Sequence, residues 1–180
     1  MFWFTADEHY WHINKKGGGV IKWENRPFSC IEHMNESLVI NFNSVVAKQD
    51  CTIHAGDFCW SHKLEVAEEI IKRLNGTHIF LKGSHDRWLK NIHQKFIWRK
   101  LIDGIFVNVC HYAFRTWERS HYGSWDLHGH SHGHMDPIGK QHDVGVDNNS
   151  YFPISFEQLK VIMASRPNHH LIDENIHKVN

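Results

Sequence analysis

Carboxylates and histidines recur in five short fragments along this chain of 180 residues. The fragments are Asp7-x-His9, Gly56-Asp57, Gly83-Ser84-His85-Asp86, His111 and Gly129-His130-Ser131-His132. Carboxylate oxygens and neutral imidazole nitrogens are ligands of divalent transition cations. Two cations held close together neutralise phosphate oxygens and lower the pKa of a shared water, so these residue types suggest a two-metal phosphoesterase site.

Each fragment closes an apolar, strand-like run, and α/β sheets place their chemistry at such strand ends. In the first half, strands are predicted over residues 1–7, 51–55 and 77–82. Between them, a capping-box spacing from Ser29 to Glu32 opens a predicted helix over 30–47, and an apolar stripe from Leu64 to Leu74 predicts a second helix. The order β, α, β, α, β predicts a mostly parallel sheet with right-handed crossovers.

The second half differs, because its apolar runs are short and separated by turn residues. Strands are predicted over 96–102, 105–110, 124–127 and 144–146, which indicates an antiparallel or mixed sheet packed on the first. A capping box, Ser155-x-x-Gln158, begins a last helix. We therefore predict a single domain over residues 1–165, followed by a polar C-terminal tail over 166–180.

Charge and cysteine usage narrow the class of partner. Lys plus Arg and Asp plus Glu balance at 20 each, which argues against a basic groove for duplex nucleic acid and against a polybasic membrane patch. The four cysteines form no C-x-x-C pair, and the N-terminus shows no signal peptide. We expect reduced cysteines, a cytoplasmic location and a small, charged substrate, with no membrane partner.

Taken singly, each fragment has a simpler explanation. Asp7 and His9 are ordinary surface residues in many proteins, Asp57 fits a turn after a strand, and His111 fits a core histidine. His85 fits a turn histidine capped by Asp86. The order of the fragments along the chain is more informative than any one of them.

That order resembles the calcineurin-like metallophosphoesterases, whose pattern is Asp-x-His, Gly-Asp, Gly-Asn-His-Asp or Glu, His and Gly-His-x-His. The likeness runs from residue 7 to residue 132. Further segments resemble the small bacterial and phage branch of that family and extend the likeness to about residues 1–160: His12-Ile13-Asn14, Asn25-Arg26-Pro27-Phe28, Met34-Asn35-Glu36 and Asp143-Val144-Gly145-Val146-Asp147. The resemblance implies an α/β fold, a four-layer α-β-β-α sandwich of two packed mixed sheets flanked by helices.

The resemblance also implies a role for each site residue. One metal would be held by Asp7, His9 and His132, the other by His111 and His130, with Asp57 bridging them. A hydroxide shared by the two cations would be the nucleophile; His85 would give a proton to the leaving oxygen, and Asp86 would orient the His85 ring. The implied cofactors are two divalent transition metal ions, with Mn²⁺ favoured and Fe, Zn or Ni as alternatives.

Ser84 departs from the family pattern, which has Asn at this position. A serine hydroxyl is a weaker ligand than the amide oxygen that completes the second metal's shell, so we expect a loosened second metal. Phosphate contacts are predicted for Arg26, Arg87, His12 and Ser84, with Lys15 and Lys16 as further candidates. Five aromatic residues flank the fragments and are candidates for base stacking or for the core: Tyr10, Trp11, Trp60, Tyr112 and Trp125.

The sequence thus predicts a metal-dependent phosphoester hydrolase. A phosphodiesterase acting on a small nucleotide-like substrate is favoured by the balanced charge and small size of the chain. Phosphomonoester hydrolysis by the same site stays open, as do a non-catalytic scaffold of this fold and a histidine-rich metal buffer. The oligomeric state is also open.

Overall fold

The structure is a computed structural model that describes residues 1–14, 18–91 and 94–169. Lys15, Lys16 and the tail from residue 170 onward lie outside the described residues. Within these ranges, the helices and strands follow in the order β1 (Phe2–Thr5), α1 (Val20–Trp23), α2 (Ile31–Val45), β2 (Cys51–His54), α3 (Leu64–Ile71), β3 (Thr77–Phe80), β4 (Ile97–Ile102), β5 (Ile105–Cys110), β6 (Trp125–His128), β7 (Gln141–Asp143), β8 (Ile154–Ser155) and α4 (Phe156–Ala164).

The strands form two mixed sheets of four strands each. The first has the order β3-β2-β1-β8, with β1, β2 and β3 parallel and β8 antiparallel to β1. The second has the order β4-β5-β6-β7, in which β4 and β5 form an antiparallel hairpin and β5, β6 and β7 are parallel. The predicted α/β class, a four-layer α-β-β-α sandwich of two packed mixed sheets with flanking helices, is confirmed.

Two apolar clusters hold the layers together. One contains side chains of both sheets, among them Phe4, Ile53, Val107 and Leu127, and forms the core between the sheets; α4 adds Phe156, Leu159 and Met163. The other joins the outer face of the first sheet to α2 and α3 through residues such as Trp3, Met34, Phe42 and Ile70. Because both faces of the first sheet are buried, the register of its strands is fixed: a shift of one residue would move every side chain to the opposite face. The residues at the strand ends are therefore fixed as well.

Some predicted boundaries need correction. Helix α2 begins one residue later than the Ser29 capping box implied, because the Cys30 side chain accepts the amide hydrogen of His33. The strand predicted over 144–146 is wrong: β7 ends at Asp143, and Val146–Asn148 form a 3-10 turn. The capping box of Ser155 and Gln158 at α4 is confirmed. Within the described residues, no helix is long and apolar enough to cross a bilayer.

Candidate metal centre

The candidate site lies where strands of both sheets end. Parallel pairing of β1 and β2 continues beyond the strands, since the Asp7 amide donates to Gly56 O and the His9 amide to Asp57 O, each at 3.0 Å. In the second sheet, the Gly129 amide donates to His111 O at 3.1 Å. The His130 amide donates to Asp7 Oδ2 at 2.8 Å and joins the two sheets. Four of the five fragments therefore meet at one edge of the sandwich.

Several nitrogen atoms converge on one carboxylate oxygen of Asp57. His111 Nε2 lies 3.4 Å from Asp57 Oδ2, and the Nε2 atoms of His9 and His85 both lie 3.8 Å from it. Ligands bound at about 2.1 Å to one cation are themselves roughly 3.0–3.5 Å apart. The observed separations are close to that range and slightly wider.

Three of the buried atoms that point into this space have no hydrogen-bond partner among the described residues. They are Asp7 Oδ1, His9 Nε2 and His111 Nε2. A buried polar atom without a partner is costly, about 1–3 kcal/mol, and in native proteins it calls for an explanation such as an ion. Two groups have ligand atoms lying within 4.8 Å of one another: Asp7, His9 and His132, and Asp7, Asp57 and His111. The donors present thus fit divalent cations of the transition series.

The electrostatics of the centre support the same fit. Burial raises the pKa of Asp7 well above its ordinary value, and the nearby carboxylates of Asp143 and Asp57 raise it further. Burial lowers the pKa of His9 well below its ordinary value. Burial opposes ionisation of Asp57 too, but the nearby rings of His111 and His9 outweigh it and lower the Asp57 pKa. Crowded carboxylates and neutral imidazoles are an environment that a divalent cation stabilises.

In two of the histidines, the ring nitrogen that faces away from the centre has a hydrogen-bond partner. His111 Nδ1 lies 3.0 Å from Ala55 O, and His132 Nδ1 lies 2.7 Å from Asp147 Oδ2. Both rings therefore present Nε2 inward. His130, the other predicted ligand, is exposed and packs edge-on against His111 and Tyr112. Its ring belongs to neither group of close ligand atoms.

The backbone at the site is unusual. Five residues that supply candidate ligands have positive φ angles between 48° and 68°: Asp7, His9, Asp57, His130 and His132. Residues other than glycine rarely adopt this left-handed conformation, and such residues cluster at functional sites. The conformation turns each side chain out of the strand direction and toward the common edge.

Two glycines of the fragments allow the loops to approach closely. A Cβ atom on Gly83 would collide with the Asp57 carboxylate and its backbone nitrogen. A Cβ atom on Gly129 would lie 2.6 Å from Asp7 Oδ2 and from the Ala6 side chain. The glycines that precede Ser84 and His130 in the sequence are thus required by the packing of neighbouring fragments.

Asp86 has a different role from the predicted one. Its buried carboxylate accepts the amide hydrogens of Asp57, Phe58 and Gly83 at 2.7–2.9 Å, the Cys59 amide at 3.3 Å and the indole N–H of Trp88 at 2.9 Å. None of these partners is the His85 ring. Asp86 therefore fixes the loop that carries Asp57, and the prediction that it orients His85 is corrected.

The exposed side of the centre, next to Ser84 and His85, forms the opening of the site. The other residues predicted there differ in how far their side chains are exposed to solvent. Ser84 is exposed and donates to Asp57 Oδ2 at 3.1 Å, while the His85 side chain is 36% exposed beside the same oxygen. Arg87 is exposed and lies 3.2 Å from His62 Nε2. His12 is buried, stacks on Trp60 at 3.8 Å and has its pKa lowered to about 4, chiefly by burial. His85 and Arg87 are thus open to a ligand, whereas His12 is largely covered.

Arg26 does not face the opening, contrary to the phosphate-binding role predicted for it. Its side chain is fully buried and forms two hydrogen bonds with Asp147, at 2.7 and 2.6 Å. Burial opposes ionisation of Asp147, but hydrogen bonds from His132 and Arg26 lower its pKa overall. The guanidinium is therefore satisfied inside the protein, because all of its strong acceptors are protein oxygens.

Two carboxylates of the site have no role assigned by the sequence reasoning. Asp143 accepts the Ser131 hydroxyl at 2.7 Å and the Gly133 amide at 2.8 Å, so it shapes the turn that carries His130 and His132. Asp147 contacts His132 directly. Asp143 and Asp147 each lie two residues from Gly145, in a segment whose resemblance to the metallophosphoesterases is described above. That spacing is the sequence feature that could have indicated their role.

The flanking aromatic residues fall into two classes. Tyr10 and Trp125 are buried and belong to the two apolar clusters. Trp11 and Tyr112 are exposed, 37% and 47%, and Tyr112 lies edge-on to the His111 ring at 4.8 Å. Trp60 is partly exposed and packs against the rings of His12 and His85, at 3.8 and 4.5 Å, so it lies beside the open side of the centre together with Tyr112.

Fold and site together define an α/β sandwich with a histidine and carboxylate centre built from the strand ends of both sheets. The chain is 32% identical over 165 residues to the uncharacterized protein MJ1445 of Methanocaldococcus jannaschii, and the match covers 86% of each protein. It therefore belongs to the same protein family as MJ1445. No protein-family model matches the sequence.

A solved structure shares the fold. The crystal structure of AQ665, a protein of unknown function from Aquifex aeolicus, superposes with a TM-score of 0.68 and 21% sequence identity. The match covers 90% of this chain and 98% of AQ665. At this identity the likeness concerns the fold alone.

Proposed function

We propose that this protein is a metal-dependent phosphoester hydrolase of the calcineurin-like metallophosphoesterase type. The observation that carries the proposal is the set of buried, unpartnered atoms Asp7 Oδ1, His9 Nε2 and His111 Nε2 around the Asp57 carboxylate. The five motif fragments predicted this set in the family's order. Divalent cations held there, with Mn²⁺ favoured, would supply the positive charge that stabilises a phosphoryl group in its transition state.

The chain's own residues divide the remaining tasks. Asp7, His9 and His132 would hold one cation, and His111 and His130 would hold the other, with Asp57, whose Oδ2 lies near both His9 and His111, shared between them. His85 stands at the open side, 3.8 Å from Asp57 Oδ2, where its imidazole can give a proton to a leaving oxygen. Arg87 is exposed next to it in sequence and can contact phosphate oxygens that do not react.

A small substrate fits the surroundings better than a polymer. Tyr112 is exposed beside the rings of His111 and His130, where it can stack on a base. Together with the balanced charge of the chain, this supports a small nucleotide-like phosphodiester.

Hydrolysis of bis-p-nitrophenyl phosphate and of p-nitrophenyl phosphate, each with Mn²⁺, tests the proposal. We expect turnover of the diester to exceed that of the monoester, because a diester is the proposed substrate. The variant His85→Ala should lose about 10²- to 10⁴-fold in kcat, since it removes a general acid, and should keep its bound metal. His134→Ala is the matched control, because His134 is exposed and pairs with Glu24 away from the ligand groups.

Three results would count against the proposal. No turnover of either ester with Mn²⁺, Fe²⁺, Zn²⁺ or Ni²⁺ would refute the hydrolase assignment. Faster turnover of the monoester would replace the diesterase with a phosphomonoesterase. An unchanged kcat in His85→Ala would remove the role of that histidine.

A further inference from the structure

We propose that Arg26 and Asp147 form a buried clamp that fixes the geometry of the Asp7, His9 and His132 group and acts on the His111 side of the centre only through Asp7, which belongs to both groups. The inference rests on the proposed two-metal function. It assigns Arg26 and Asp147 as positioning residues for one of the two cations, and it makes the two cation positions unequal.

Arg26 holds the strand end that carries two of the ligands. Its Nη2 donates to Asp7 O at 2.7 Å, and its Nη1 donates to Glu8 O at 3.1 Å. These carbonyls belong to the two peptide units that join Asp7 to His9, both of which have left-handed backbone angles. Hydrogen bonds from a charged donor are stronger than neutral ones, so they can stabilise a conformation that the chain otherwise disfavours.

Asp147 connects the same guanidinium to the third ligand. The Asp147 carboxylate accepts hydrogen bonds from Arg26 Nε at 2.7 Å and from Arg26 Nη2 at 2.6 Å. Its Oδ2 also lies 2.7 Å from His132 Nδ1. A carboxylate accepts hydrogen bonds, so Nδ1 of His132 must carry the hydrogen and Nε2 must present its lone pair to Asp7 and His9. One buried guanidinium thus orients ligands from both sheets.

The pairing also makes a buried arginine compatible with a nearby cation. An isolated guanidinium at this position would repel a divalent ion through a medium of low dielectric constant. Asp147 neutralises it within hydrogen-bond distance, so the clamp presents no net charge to the site. The cost of burying two charges is offset only by good geometry and further hydrogen bonds, and Arg26 has both.

The His111 side of the centre is held by groups other than the clamp, since Asp86 fixes the loop that carries Asp57. His111 Nδ1 contacts a neutral backbone oxygen, Ala55 O, at 3.0 Å. His130 is exposed, and the ring contacts it makes are with His111 and Tyr112. Damage to the clamp should therefore weaken the position that uses His9 and His132 more than the position that uses Asp57 and His111, to which only Asp7 connects it.

Calorimetric titration with Mn²⁺, combined with metal analysis of the dialysed protein, tests the clamp in the full-length chain. In Asp147→Asn and Arg26→Lys we expect the affinity for one Mn²⁺ to fall about 10- to 100-fold and the affinity for the other to fall by much less. The matched control is Arg73→Lys, because Arg73 makes a similar two-bond pair with Glu36 on the exposed surface. That variant should bind both ions as the wild type does.

The outcomes separate the clamp from the proposed function. Wild-type protein that binds no Mn²⁺ overturns the proposed metal centre and the clamp with it. Wild-type protein that binds two ions, with both variants unchanged or with both positions equally weakened, overturns the clamp and leaves the function standing.

A measurement on the wild-type protein covers the case in which the variants fail to fold. With ¹⁵N-labelled histidine and Zn²⁺ bound, NMR should show His132 with a slowly exchanging Nδ1–H and with Nε2 bound to the cation. Coordination through Nδ1, or an Nδ1–H that exchanges rapidly with water, would overturn the clamp.

Discussion

The variant Asp86→Asn should unfold more easily than the wild type, even without metal or substrate. The Asp86 carboxylate receives five hydrogen bonds, two at Oδ2 from the amides of Asp57 and Gly83 and three at Oδ1. Asparagine retains one acceptor oxygen and places an NH₂ group against the other set of donors. At least two buried N–H groups then lose their acceptor, and at about 1–3 kcal/mol each the loss is about 2–6 kcal/mol.

Urea unfolding in the presence of a chelator measures this loss. With a slope of about 2 kcal/mol per molar urea, the midpoint should fall by about 1–3 M. The matched control is Asp103→Asn, because Asp103 is exposed and its left-handed backbone, φ 46°, suits asparagine equally well. It should change stability by less than about 0.5 kcal/mol.

A stability loss below about 1 kcal/mol in Asp86→Asn would refute the assignment of Asp86 to the backbone of the Asp57 loop. If Asp86 instead oriented the His85 ring, the substitution would lower turnover and leave the unfolding midpoint near that of the wild type. The two roles therefore give opposite results in one assay.

Three further changes should give measurable effects. Burial lowers the pKa of His142 to about 4, so between pH 4 and 6.5 the unfolded chain binds more protons than the folded protein. The free energy of unfolding should therefore fall by a few kcal/mol as the pH drops through that window. Urea unfolding at several pH values should show this slope in the wild type and a flatter slope in His142→Asn. Ser84→Asn should retain the second metal through mild chelation better than the wild type, and equal retention by both proteins would contradict a loosened site. Gly83→Ala should displace the Asp57 carboxylate and reduce bound metal in metal analysis, and full metal content would show that the loop can yield.

The sequence predicted the parts of the site that depend on strand ends. Asp7 and Asp57 end neighbouring parallel strands, so they had to lie at one edge of the sheet once the β, α, β order was known. His111 and His132 required the second sheet to pack with its own strand ends at the same edge, and only the family resemblance supplied that arrangement.

The errors have a common physical cause, which is burial. Arg26 was assigned from the chemistry of its side chain, which suits a phosphate, and Asp86 was assigned from the family resemblance. In the fold both are covered, and backbone groups and Asp147 occupy their hydrogen-bonding atoms. The residue type determines which groups a side chain can bind, but the tertiary structure determines which of those groups lie within hydrogen-bond distance.

The left-handed backbone at five ligand positions bears on how this sequence could change over time. Glycine adopts that conformation freely, whereas an Asp or His in it costs about 1 kcal/mol or more, so the five together represent a sizeable fraction of a typical domain's net stability. Glycine at Asp7, His9, Asp57, His130 or His132 would relieve the backbone strain but would remove the ligand atom that the side chain supplies. At this edge of the molecule the backbone conformation and the ligand set therefore impose opposing demands on the same five residues.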